Sequence, residues 1–419
     1  MRKKPLILFI TTFLIGFLIG DFESKKLKIK INDLKIKYFT KQDLKLDKDS
    51  KSDNKKIIKA NSYELAVEEI LSFELASNDL PYYVLRTAGF QINKIKGQYD
   101  YKLFFQDGQI VTPEKIEKIK LPQTIIYSAY NENRNVFHGG LKSVFSLDGK
   151  DFGLISNNSL DCDYLSVIEL SSNNILFKGN CLPKGEDPDF NGSGGAYFFH
   201  KENLYLTIGT PTSNGEKINM LAQDKKSIYG KILKINKNDL LRNKNIEYEI
   251  FSVGHRNPQG LVKISDKIFS TEHGPQGGDE INLITKNNNY GWPLISYGTR
   301  YEDGKSYKFN GDNINFIDPL FSFVPSIAPS SLGECPKNLA NFYMSNICLM
   351  SLSLREQSLF IILLDKKNNS VRSIEKIQLN NRMRHFGSNL DGSIFFDNNS
   401  FFISTDDLTI LKVNFLNFR

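Results

Sequence analysis

The sequence lacks the features that mark several common classes of protein. Its four cysteines include no C-x-x-C pair, so a zinc site built on cysteine is not expected. A basic excess is also missing from most of the chain. Residues 1–60 hold 16 Lys and Arg against 7 Asp and Glu, and the remainder carries a net charge of −2 although the whole chain carries +7. A near-neutral globular part gives nucleic-acid binding no electrostatic basis.

The cysteines leave two alternatives open. Cys162 and Cys181 flank one short segment, and Cys335 and Cys348 flank another. In an oxidising compartment each pair could close a local disulfide. The alternative is four unpaired and partly buried thiols.

The N-terminal region predicts export and attachment to a membrane. Basic residues at positions 2–4 precede the apolar run Pro5–Gly20. This pattern is typical of a signal peptide or a short signal anchor over residues 1–20, and the lack of a small-x-small cleavage site favours the anchor. Lysines between residues 25 and 37 oppose that orientation. We expect the rest of the chain on the periplasmic or extracellular face, anchored by residues 5–20.

Two segments connect this region to the rest of the chain. Residues 21–60 are rich in Lys, Asn and Asp, which predicts a polar tether. Ser62–Ser77 places apolar residues at helical spacing, and we assign a short helix to residues 61–77. The globular domain is expected to comprise residues 78–419.

Beyond residue 77 the pattern favours an all-β fold. Short apolar segments alternate with turn residues, and the strand–helix alternation of a parallel sheet is missing. A turn-then-strand phrase at 147–149 and 389–392, eroded at 201–203, indicates repeated blades. The expected strands include Gly153–Ser156, Leu165–Leu170, Asn174–Lys178, Gly195–His200, Leu204–Ile208, Lys231–Ile235, Ile268–Thr271, Phe342–Met344, Leu359–Leu364, Ser393–Phe396 and Phe401–Ser404.

Two blocks combine groups that suit one kind of site. Residues 253–260 read Val-Gly-His-Arg-Asn-Pro-Gln-Gly, and residues 272–293 begin Glu-His-Gly-Pro-Gln-Gly-Gly-Asp-Glu and end Asn-Tyr-Gly-Trp-Pro. Guanidinium or imidazole groups can bind ring carboxylates, and turn carbonyls with acidic side chains can hold calcium. The mixture suits an anionic cofactor bridged to a hard metal ion.

These blocks resemble the soluble glucose/sorbosone dehydrogenase family, the pyrroloquinoline quinone (PQQ) sugar dehydrogenases, and most closely its aldose sugar dehydrogenase branch. The resemblance runs from about residue 78 to the C-terminus and is dense at 253–298. It implies a six-bladed β-propeller whose blades have four antiparallel strands. It also implies that PQQ lies over the propeller mouth with a bridging calcium ion.

The resemblance implies cofactor-binding roles for seven residues. Their common feature is a polar or basic group that can face the PQQ ring or its carboxylates. Within the 253–260 block, Asn257-Pro258 could instead be an ordinary turn, and a surface loop could equally hold the three later arginines. The residues are Arg256, Asn257, Gln259, His273, Arg355, Arg382 and Arg384.

Four residues match calcium ligands of the family. Gly274 and Pro275 match the carbonyls that hold the cofactor calcium. Glu280 and Tyr290 match a second, structural calcium site. As bare sequence, the acidic pair that ends in Glu280 could equally be a solvated surface pair.

The sequence departs from the family where catalysis is expected. Relatives carry His-x-Gly-Gly-Arg, whose histidine takes the proton of the sugar hydroxyl. Here residues 192–196 read Gly-Ser-Gly-Gly-Ala, so Gly192 replaces the histidine and Ala196 the arginine. His138, where relatives have a glutamine, is a speculative replacement base, and His200 is a weaker one.

Three functional hypotheses follow. The leading one is a membrane-tethered propeller that uses PQQ and calcium to oxidise an aldose or other polyol and passes electrons to a respiratory acceptor. The alternative is a catalytically impaired propeller that binds carbohydrate or protein. In the third hypothesis the propeller is purely structural and the glycines survive as turn residues.

Overall fold

The computed structural model describes residues 44–46, 55–75, 86–122, 139–159, 162–183, 186, 188–211, 215–242, 246–308 and 315–419. The chain divides into two compact units, residues 1–45 with 75–79 and residues 46–74 with 80–419. Residues 44 and 45 of the first unit belong to strand β1 (Leu44–Leu46). The second unit contains the sheets of the fold.

Antiparallel sheets account for nearly all of the second unit. It begins with β2 (Lys55–Lys59) and β3 (Glu64–Leu75). Five four-stranded sheets follow. They are β4 (Thr87–Ile95), β5 (Gln98–Phe105), β6 (Gln109–Val111) and β7 (Ile116–Lys118); β8 (Leu141–Leu147), β9 (Lys150–Ser159), β10 (Cys162–Glu169) and β11 (Asn174–Lys178); β12 (Gly194–His200), β13 (Asn203–Ile208), β14 (Lys231–Asn236) and β15 (Tyr248–Val253); β16 (Pro258–Ile264), β17 (Lys267–Glu272), β18 (Asp279–Ile284) and β21 (Phe321–Phe323); and β22 (Pro329–Glu334), β23 (Asn346–Ser353), β24 (Ser358–Asp365) and β25 (Val371–Gln378).

The last sheet joins the two ends of the second unit. It consists of β26 (Met383–Phe386), β27 (Ser400–Thr405) and β28 (Thr409–Leu416), followed outward by β3 and then β2. A hairpin of β19 (Ser296–Thr299) and β20 (Ser306–Tyr307) is inserted into the fourth sheet. The described helices are short: a 3₁₀ turn (Phe190–Gly192), α1 (Glu216–Met220), α2 (Lys237–Arg242) and α3 (Lys337–Phe342).

The six sheets are the blades of a closed propeller. Their first strands, β4, β8, β12, β16, β22 and β26, each contact the next around a central channel, and β26 contacts β4 to complete the ring. The hydrophobic clusters lie mainly between adjacent blades. The predicted all-β, six-bladed propeller is therefore confirmed.

The prediction of a helix over residues 61–77 is wrong. Strand β3 pairs with β28 from Glu64 opposite Leu416 to Ser72 opposite Thr409. Its apolar residues also fit a period of two, and the exposed edge of β28 selects the extended form because it supplies hydrogen-bond partners. Strand β2 likewise lies within the predicted tether, so the last blade draws in residues from 55 rather than from 78.

Most of the strands expected from the sequence are present, and two are not. Residues 342–344 form no strand, because Phe342 is the last residue of α3 and packs on Phe418, and Tyr343 and Met344 lie in the turn that follows. Residues 393–396 form an irregular segment whose Ile394 side chain packs over Gly333. In both places apolar residues serve packing between elements rather than strand pairing.

The structure resolves the alternatives for the cysteines but leaves the N-terminal prediction untested. Cys162 is bonded to Cys181 and Cys335 to Cys348. Residues 1–20, where an anchor or signal peptide is expected, lie outside the described residues. Within the described ranges, no helix is long and apolar enough to cross a membrane.

Closure of the last blade by β3 gives a first prediction. A chain that begins at residue 78 lacks β2 and β3, so it loses the buried side chains of Tyr63, Leu65 and Phe73 and leaves the edge of β28 unpaired. Each buried side chain of this size contributes roughly 1.5–3 kcal/mol, and the total stability of a domain is about 5–15 kcal/mol. We expect this chain to lose its cooperative thermal transition in circular dichroism.

A chain that begins at residue 55 is the matched control, since it keeps both strands. It should melt cooperatively under the same conditions. Equal melting temperatures for the two chains would show that β3 is dispensable for closure.

Candidate functional site

The six inner strands begin at one end of the channel, which we call the channel mouth. Hydrogen bonds join residues at or near the start of neighbouring strands there. His385 Nε2 bonds Thr87 O at 3.0 Å between β26 and β4. Gly194 N donates to Asn257 Oδ1 at 3.1 Å, between β12 and the residue before β16. Side chains far apart in sequence therefore meet at this mouth.

A buried carboxylate fixes two of the predicted arginines. Arg384 donates to both oxygens of Asp406, from Nε at 2.5 Å and from Nη2 at 2.7 Å. Arg382 Nε donates to Asp406 Oδ2 at 3.3 Å, and its Nη1 donates to Leu354 O at 3.1 Å. Burial alone would raise the pKa of Asp406, but the attraction of the guanidinium groups outweighs it and lowers this pKa to about 2. Arg382 and Arg384 are thus brought together.

Two further cations, not predicted from the sequence, belong to the same cluster. Arg86 precedes β4 and donates from Nη1 to Asn191 Oδ1 at 3.0 Å. Burial, followed by repulsion from Arg384, lowers the pKa of Arg86 to about 10. Lys142, the second residue of β8, lines the channel near Gly194. We call Arg86, Lys142, Arg382 and Arg384 the cation cluster.

Arg256 lies at the mouth, and its guanidinium group faces the backbone of residues 273 and 274. Its Nη1 donates to His273 O at 3.1 Å and to Gly274 O at 2.6 Å. Its guanidinium carbon lies 5.2 Å from the centre of the Trp292 ring, which stacks against it. The buried Nε of Arg256 has no hydrogen-bond partner among the described residues, so one donor remains for a ligand.

The two predicted amide side chains, Asn257 and Gln259, form a hydrogen-bonded pair beside Gly194, the first residue of β12. Gln259 Nε2 donates to Asn257 Oδ1 at 2.8 Å, and lies 3.4 Å from Gly194 O. Gln259 also lines the channel cavity. The alternative of an ordinary Asn-Pro turn is insufficient, because both side chains bond across to another blade.

The loop from Gly274 to Asp279 is held rigidly by one carboxylate. Asp279 accepts from Gly274 N at 2.9 Å, from Ser326 Oγ at 3.1 Å, and from the backbone of Ile327 and Ala328 at 2.7 Å each. These four donors hold the buried carboxylate, and with it the backbone of Gly274, in one place. The carbonyl of Gly274 is therefore presented in a defined position beside Pro275.

Glu280 and Tyr290, the predicted structural calcium ligands, meet in a small cavity together with Glu272. Asn282 Nδ2 donates to one oxygen of each glutamate at 3.0 Å, while Asn282 Oδ1 is buried without a hydrogen-bond partner among the described residues. Burial, and then the charge of Glu272, raises the pKa of Glu280 well above its ordinary value. Two carboxylates that meet in one cavity suit a hard cation.

The two remaining predicted cofactor residues differ in exposure. His273 is largely buried, and its Nε2 bonds Pro329 O at 2.6 Å. Burial lowers the pKa of His273, with Arg256 adding to the effect, so the ring is neutral. Arg355 is exposed at the rim of the fifth blade, and its backbone N donates to Ile327 O at 3.2 Å.

The segment 192–196 contains glycines for backbone reasons. Gly194 and Gly195 have φ angles of +69° and +107°, and a Cβ on Gly194 would lie 2.7 Å from Gly209 N. Ala196 N donates to Thr207 Oγ1 at 2.9 Å, and its methyl group packs among apolar neighbours. Neither Gly192 nor Ala196 supplies a group that can accept a proton.

The histidines do not restore the missing base in the described part of the chain. His138 lies outside the described residues. His200 ends β12 at the opposite end from the channel mouth. His385 lines the channel, and burial, ahead of repulsion from Arg384, lowers its pKa to about 4. Its Nε2 carries the proton toward Thr87 O, so only Nδ1 could accept another.

A cavity of about 90 Å³ lies in the channel below the mouth and is lined by all six inner strands. Within the described ranges, no group of three or more His, Cys, Asp or Glu side chains is arranged to hold a metal ion. A metal at Gly274 would therefore depend on carbonyl oxygens and on the ligand itself. Sequence reasoning missed Arg86, Lys142 and Asp406, which belong to no motif.

The comparisons with known proteins identify a family. The family model described as Glucose / Sorbosone dehydrogenase matches residues 155–401. The aldose sugar dehydrogenase YliI of Escherichia coli is 31% identical over 187 residues, which cover 42% of this chain and 46% of that protein. The uncharacterized protein slr1608 of Synechocystis is 37% identical over 145 residues, which cover 31% of this chain and 35% of that protein. The aligned parts thus span less than half of each relative.

Solved structures share the fold over a larger part of the chain. The soluble aldose sugar dehydrogenase of Escherichia coli in its apo-form has a TM-score of 0.60 at 19% identity, over 84% of this chain and 99% of that one. The PQQ-bound form of the aldose sugar dehydrogenase from Streptomyces coelicolor has a TM-score of 0.55 at 19% identity, over 85% and 100%. At these identities the likeness supports the propeller fold. The resemblance found in the sequence is confirmed by the family match.

The ion pairs of Asp406 give a second prediction, for Asp406→Asn. The pKa of about 2 is lower than the ordinary 3.8, so this group adds stability above pH 4 that is lost as the pH falls through 2. The contribution is about 2 kcal/mol, and the variant should lose roughly 3 kcal/mol at pH 7 because two arginines lose their counter-ion. Urea unfolding between pH 2 and 7 measures both effects.

Asp407→Asn provides the control, since Asp407 is an exposed neighbour that accepts only a long bond of 3.4 Å from Asn381 Nδ2. Its unfolding free energy should stay within about 0.5 kcal/mol of the unmodified protein. If both variants have the same stability at pH 7, Asp406 does not anchor the mouth.

Proposed function

The chain belongs to the glucose/sorbosone dehydrogenase family, and from this membership we propose that it binds PQQ with calcium at the channel mouth and oxidises an aldose or another polyol. The observation that carries the proposal is the convergence of the cation cluster and Arg256 on one end of the channel. The E. coli relative is named an aldose sugar dehydrogenase, and the S. coelicolor relative has been solved with PQQ bound.

The charge of the mouth favours an anionic ligand. Among the described residues, three arginines and Lys142 lie near two carboxylates, Asp189 and Asp406. Asp406 is shared by two guanidinium groups, and Asp189 Oδ1 accepts from Asn191 N at 2.8 Å. A partly buried excess of positive charge is costly unless an anion neutralises it. The carboxylates of PQQ would supply that charge.

The residues fit the individual parts of the cofactor. Arg382 and Arg384 would hold its carboxylates, with Arg355 reaching in from the rim. The remaining donor of Arg256 and the amides of Asn257 and Gln259 would bond the quinone oxygens. His273, which is neutral, would pack beside the ring.

Calcium is part of the proposal at two positions. The carbonyls of Gly274 and Pro275 would hold one ion at the channel mouth. A second ion would sit between Glu280, Glu272 and Tyr290, where the two carboxylates meet in a small cavity.

The chemistry requires a proton acceptor as well as the cofactor. Bound PQQ would supply a two-electron acceptor for hydride from the substrate carbon. The hydroxyl proton must then pass to a base near the substrate. Among the sequence candidates, His138 is retained as the proposed replacement base. Electrons would continue to a respiratory acceptor on the periplasmic or extracellular face, with the protein anchored by residues 5–20.

A specific observation favours a second candidate function. Gly192 and Ala196 carry no acid–base group, so the site retains its binding residues while the expected base is missing. The second candidate is therefore a catalytically impaired propeller that binds carbohydrate or protein. Turnover distinguishes it from the dehydrogenase.

The third prediction concerns cofactor binding. PQQ titrated into the full chain with calcium should give saturable changes in absorbance and a rise in melting temperature. Arg382→Gln should weaken binding by about 10-fold or more, since a charge-assisted hydrogen bond contributes roughly 1.5–3 kcal/mol. Arg372→Gln, on the outer strand β25, is the matched control and should bind normally.

Dye reduction with a panel of aldoses completes this test. Turnover that disappears in His138→Ala would support the dehydrogenase and its replacement base. Binding without turnover would support the impaired propeller. A lack of PQQ binding in the unmodified protein would overturn both cofactor-dependent proposals.

The fourth prediction concerns the second calcium position. Calcium should raise the melting temperature of the cofactor-free protein, and Glu280→Gln should abolish most of that shift because it removes a charged ligand. The raised pKa of Glu280 means that calcium must displace a proton, so its affinity should increase with pH. Differential scanning fluorimetry measures both trends.

Glu247→Gln, at an exposed position before β15, is the control and should keep the full calcium shift. A calcium shift that survives Glu280→Gln would place the ion elsewhere.

A further inference from the structure

The turn that follows α1 places one amide side chain against residues 289–292. Gln223 Nε2 donates to Trp292 O at 2.5 Å and to Asn289 Oδ1 at 3.2 Å. In return, Asn289 Nδ2 donates to Gln223 Oε1 at 2.6 Å. The two amides therefore form a closed pair, and Gln223 also holds the main chain of Trp292.

The amide pair lies against the backbone that leads to Arg256. A Cβ on Gly254 would lie only 2.2 Å from Asn289 Oδ1, so the two chains touch there and a glycine is required. Trp292 N donates to Gly254 O at 3.0 Å and joins the same two chains a second time. The amide pair thus contacts both chain segments that meet beside Arg256.

The turn that carries Gln223 is itself firmly held. The buried ammonium of Lys231 donates to Leu221 O and Ala222 O at 2.9 Å each. Ala222 O also accepts from Gly254 N at 3.1 Å. Since the backbone on this side is fixed, the amide pair determines the position of the segment that it holds.

The Trp292 ring depends on its own main chain and on stacking. Its Nε1 is buried without a hydrogen-bond partner among the described residues. The Arg256 guanidinium carbon lies 5.2 Å from the ring centre, and the centre of the Tyr307 ring lies 5.0 Å away. Because the described side chains give the indole no hydrogen bond, its position follows from the main chain that Gln223 holds.

We propose that Gln223 is a positioning residue, which fixes the Trp292 ring against Arg256 and so sets how Arg256 meets an anionic ligand at the channel mouth. The inference rests on the proposed function where that ligand is PQQ. In this arrangement Gln223 contacts neither the ligand nor the reacting atoms, and it acts through Trp292. The ligand class is an anion with oxygen acceptors, since the buried Arg256 Nε is a donor that still lacks a partner among the described residues.

The indole ring supplies what the hydrogen bonds of Arg256 leave undetermined. Its Nη1 already donates to the carbonyls of residues 273 and 274, which fixes one corner of the guanidinium group. The plane of the group follows from the ring, because a cation packs favourably over an aromatic face, most of all where water is excluded. Arg256 is 7% exposed and Trp292 5% exposed. A shifted ring would therefore tilt the guanidinium plane and turn Nε away from the ligand.

Tryptophan fluorescence of the full chain tests the positioning without any ligand. Trp292 is the only tryptophan of the chain, so the emission reports on this one ring. The unmodified protein should show blue-shifted emission and weak quenching by acrylamide, because the ring is buried. Gln223→Leu is similar in size and removes the three hydrogen bonds of the amide. It should shift the emission to the red and raise the quenching constant.

Gln223→Glu separates the hydrogen bond from the packing, and it keeps the test decisive if the leucine variant is unstable. At pH 8 the introduced carboxylate cannot donate to Trp292 O, so the emission should shift as in Gln223→Leu. As the pH falls through the pKa of a glutamate, ordinarily about 4.3, the carboxyl group gains a donor and the emission should return. The unmodified protein over the same pH range is the control.

PQQ titration with calcium, followed by absorbance, measures the consequence for binding. Gln223→Leu and Trp292→Leu should each bind PQQ roughly 5-fold to 30-fold more weakly, as expected for loss of a desolvated cation–aromatic contact. The double variant should bind no more weakly than either single one, because both changes remove the same contact. Trp292→Phe keeps an aromatic face and should restore most of the affinity.

Gln98→Leu makes the same replacement at the exposed turn after β4, at the end of the blade opposite the mouth. It is the matched control and should have the emission and the PQQ affinity of the unmodified protein.

The fluorescence and binding results have separate consequences. Unchanged emission and quenching in both Gln223 variants would overturn the proposal. A shifted emission with unchanged PQQ affinity would also overturn it, as would losses that add in the double variant, since Gln223 would then not act through Trp292. If the unmodified protein binds no PQQ, the cofactor assignment fails, and the ligand-free fluorescence alone decides whether Gln223 positions Trp292.

Discussion

Closure of the ring is the constraint on which the rest of the structure depends. The last blade is completed by β3, a strand that comes from the opposite end of the domain and pairs with β28 along eight registered residues. Only in a closed ring does β26 contact β4, which brings Arg384 and Arg86 to the same side of the channel mouth. The cation cluster is therefore a product of topology, since its members are spread over about three hundred residues of sequence.

Within that ring, two buried carboxylates each hold a different part of the site. Asp406 is committed to Arg382 and Arg384, and Asp279 is committed to four donors around the Gly274 loop. Both carboxylates therefore fix the geometry of the side chains and backbone around them. Burial lowers the pKa of Lys142 to about 7, and burial raises the pKa of Glu280, which directly follows Asp279 in the chain.

The sequence predicted the propeller and part of the candidate site, and the two predictions used different kinds of information. Turn-and-strand alternation is a local property, so the all-β class could be read directly. Arg256, Asn257 and Gln259 were identified because they occur in one contiguous motif. Residues 61–77 were misassigned because their apolar pattern fits both periods, and only the edge of β28 decides between them.

The residues that were missed share one property. Arg86, Lys142 and Asp406 are single charged residues outside any motif, and their partners lie in other blades. Solvated and functional charges look alike in a sequence, because the difference is burial and proximity. Both follow from ring closure, so a sequence pattern alone carries no signal for them.

The segment 192–196 shows how binding and turnover can separate within one fold. Gly194 and Gly195 are required by their positive φ angles and by the close approach of Gly209, so they persist whatever the site does. The flanking positions have no such constraint, and their side chains alone determine whether a proton can be accepted there. Hydride loss from a hydroxyl-bearing carbon needs that acceptor. His273 and His385 bond carbonyls through Nε2, so a proton could reach them only at Nδ1. Any turnover must therefore use a base outside the segment that the family motif supplies.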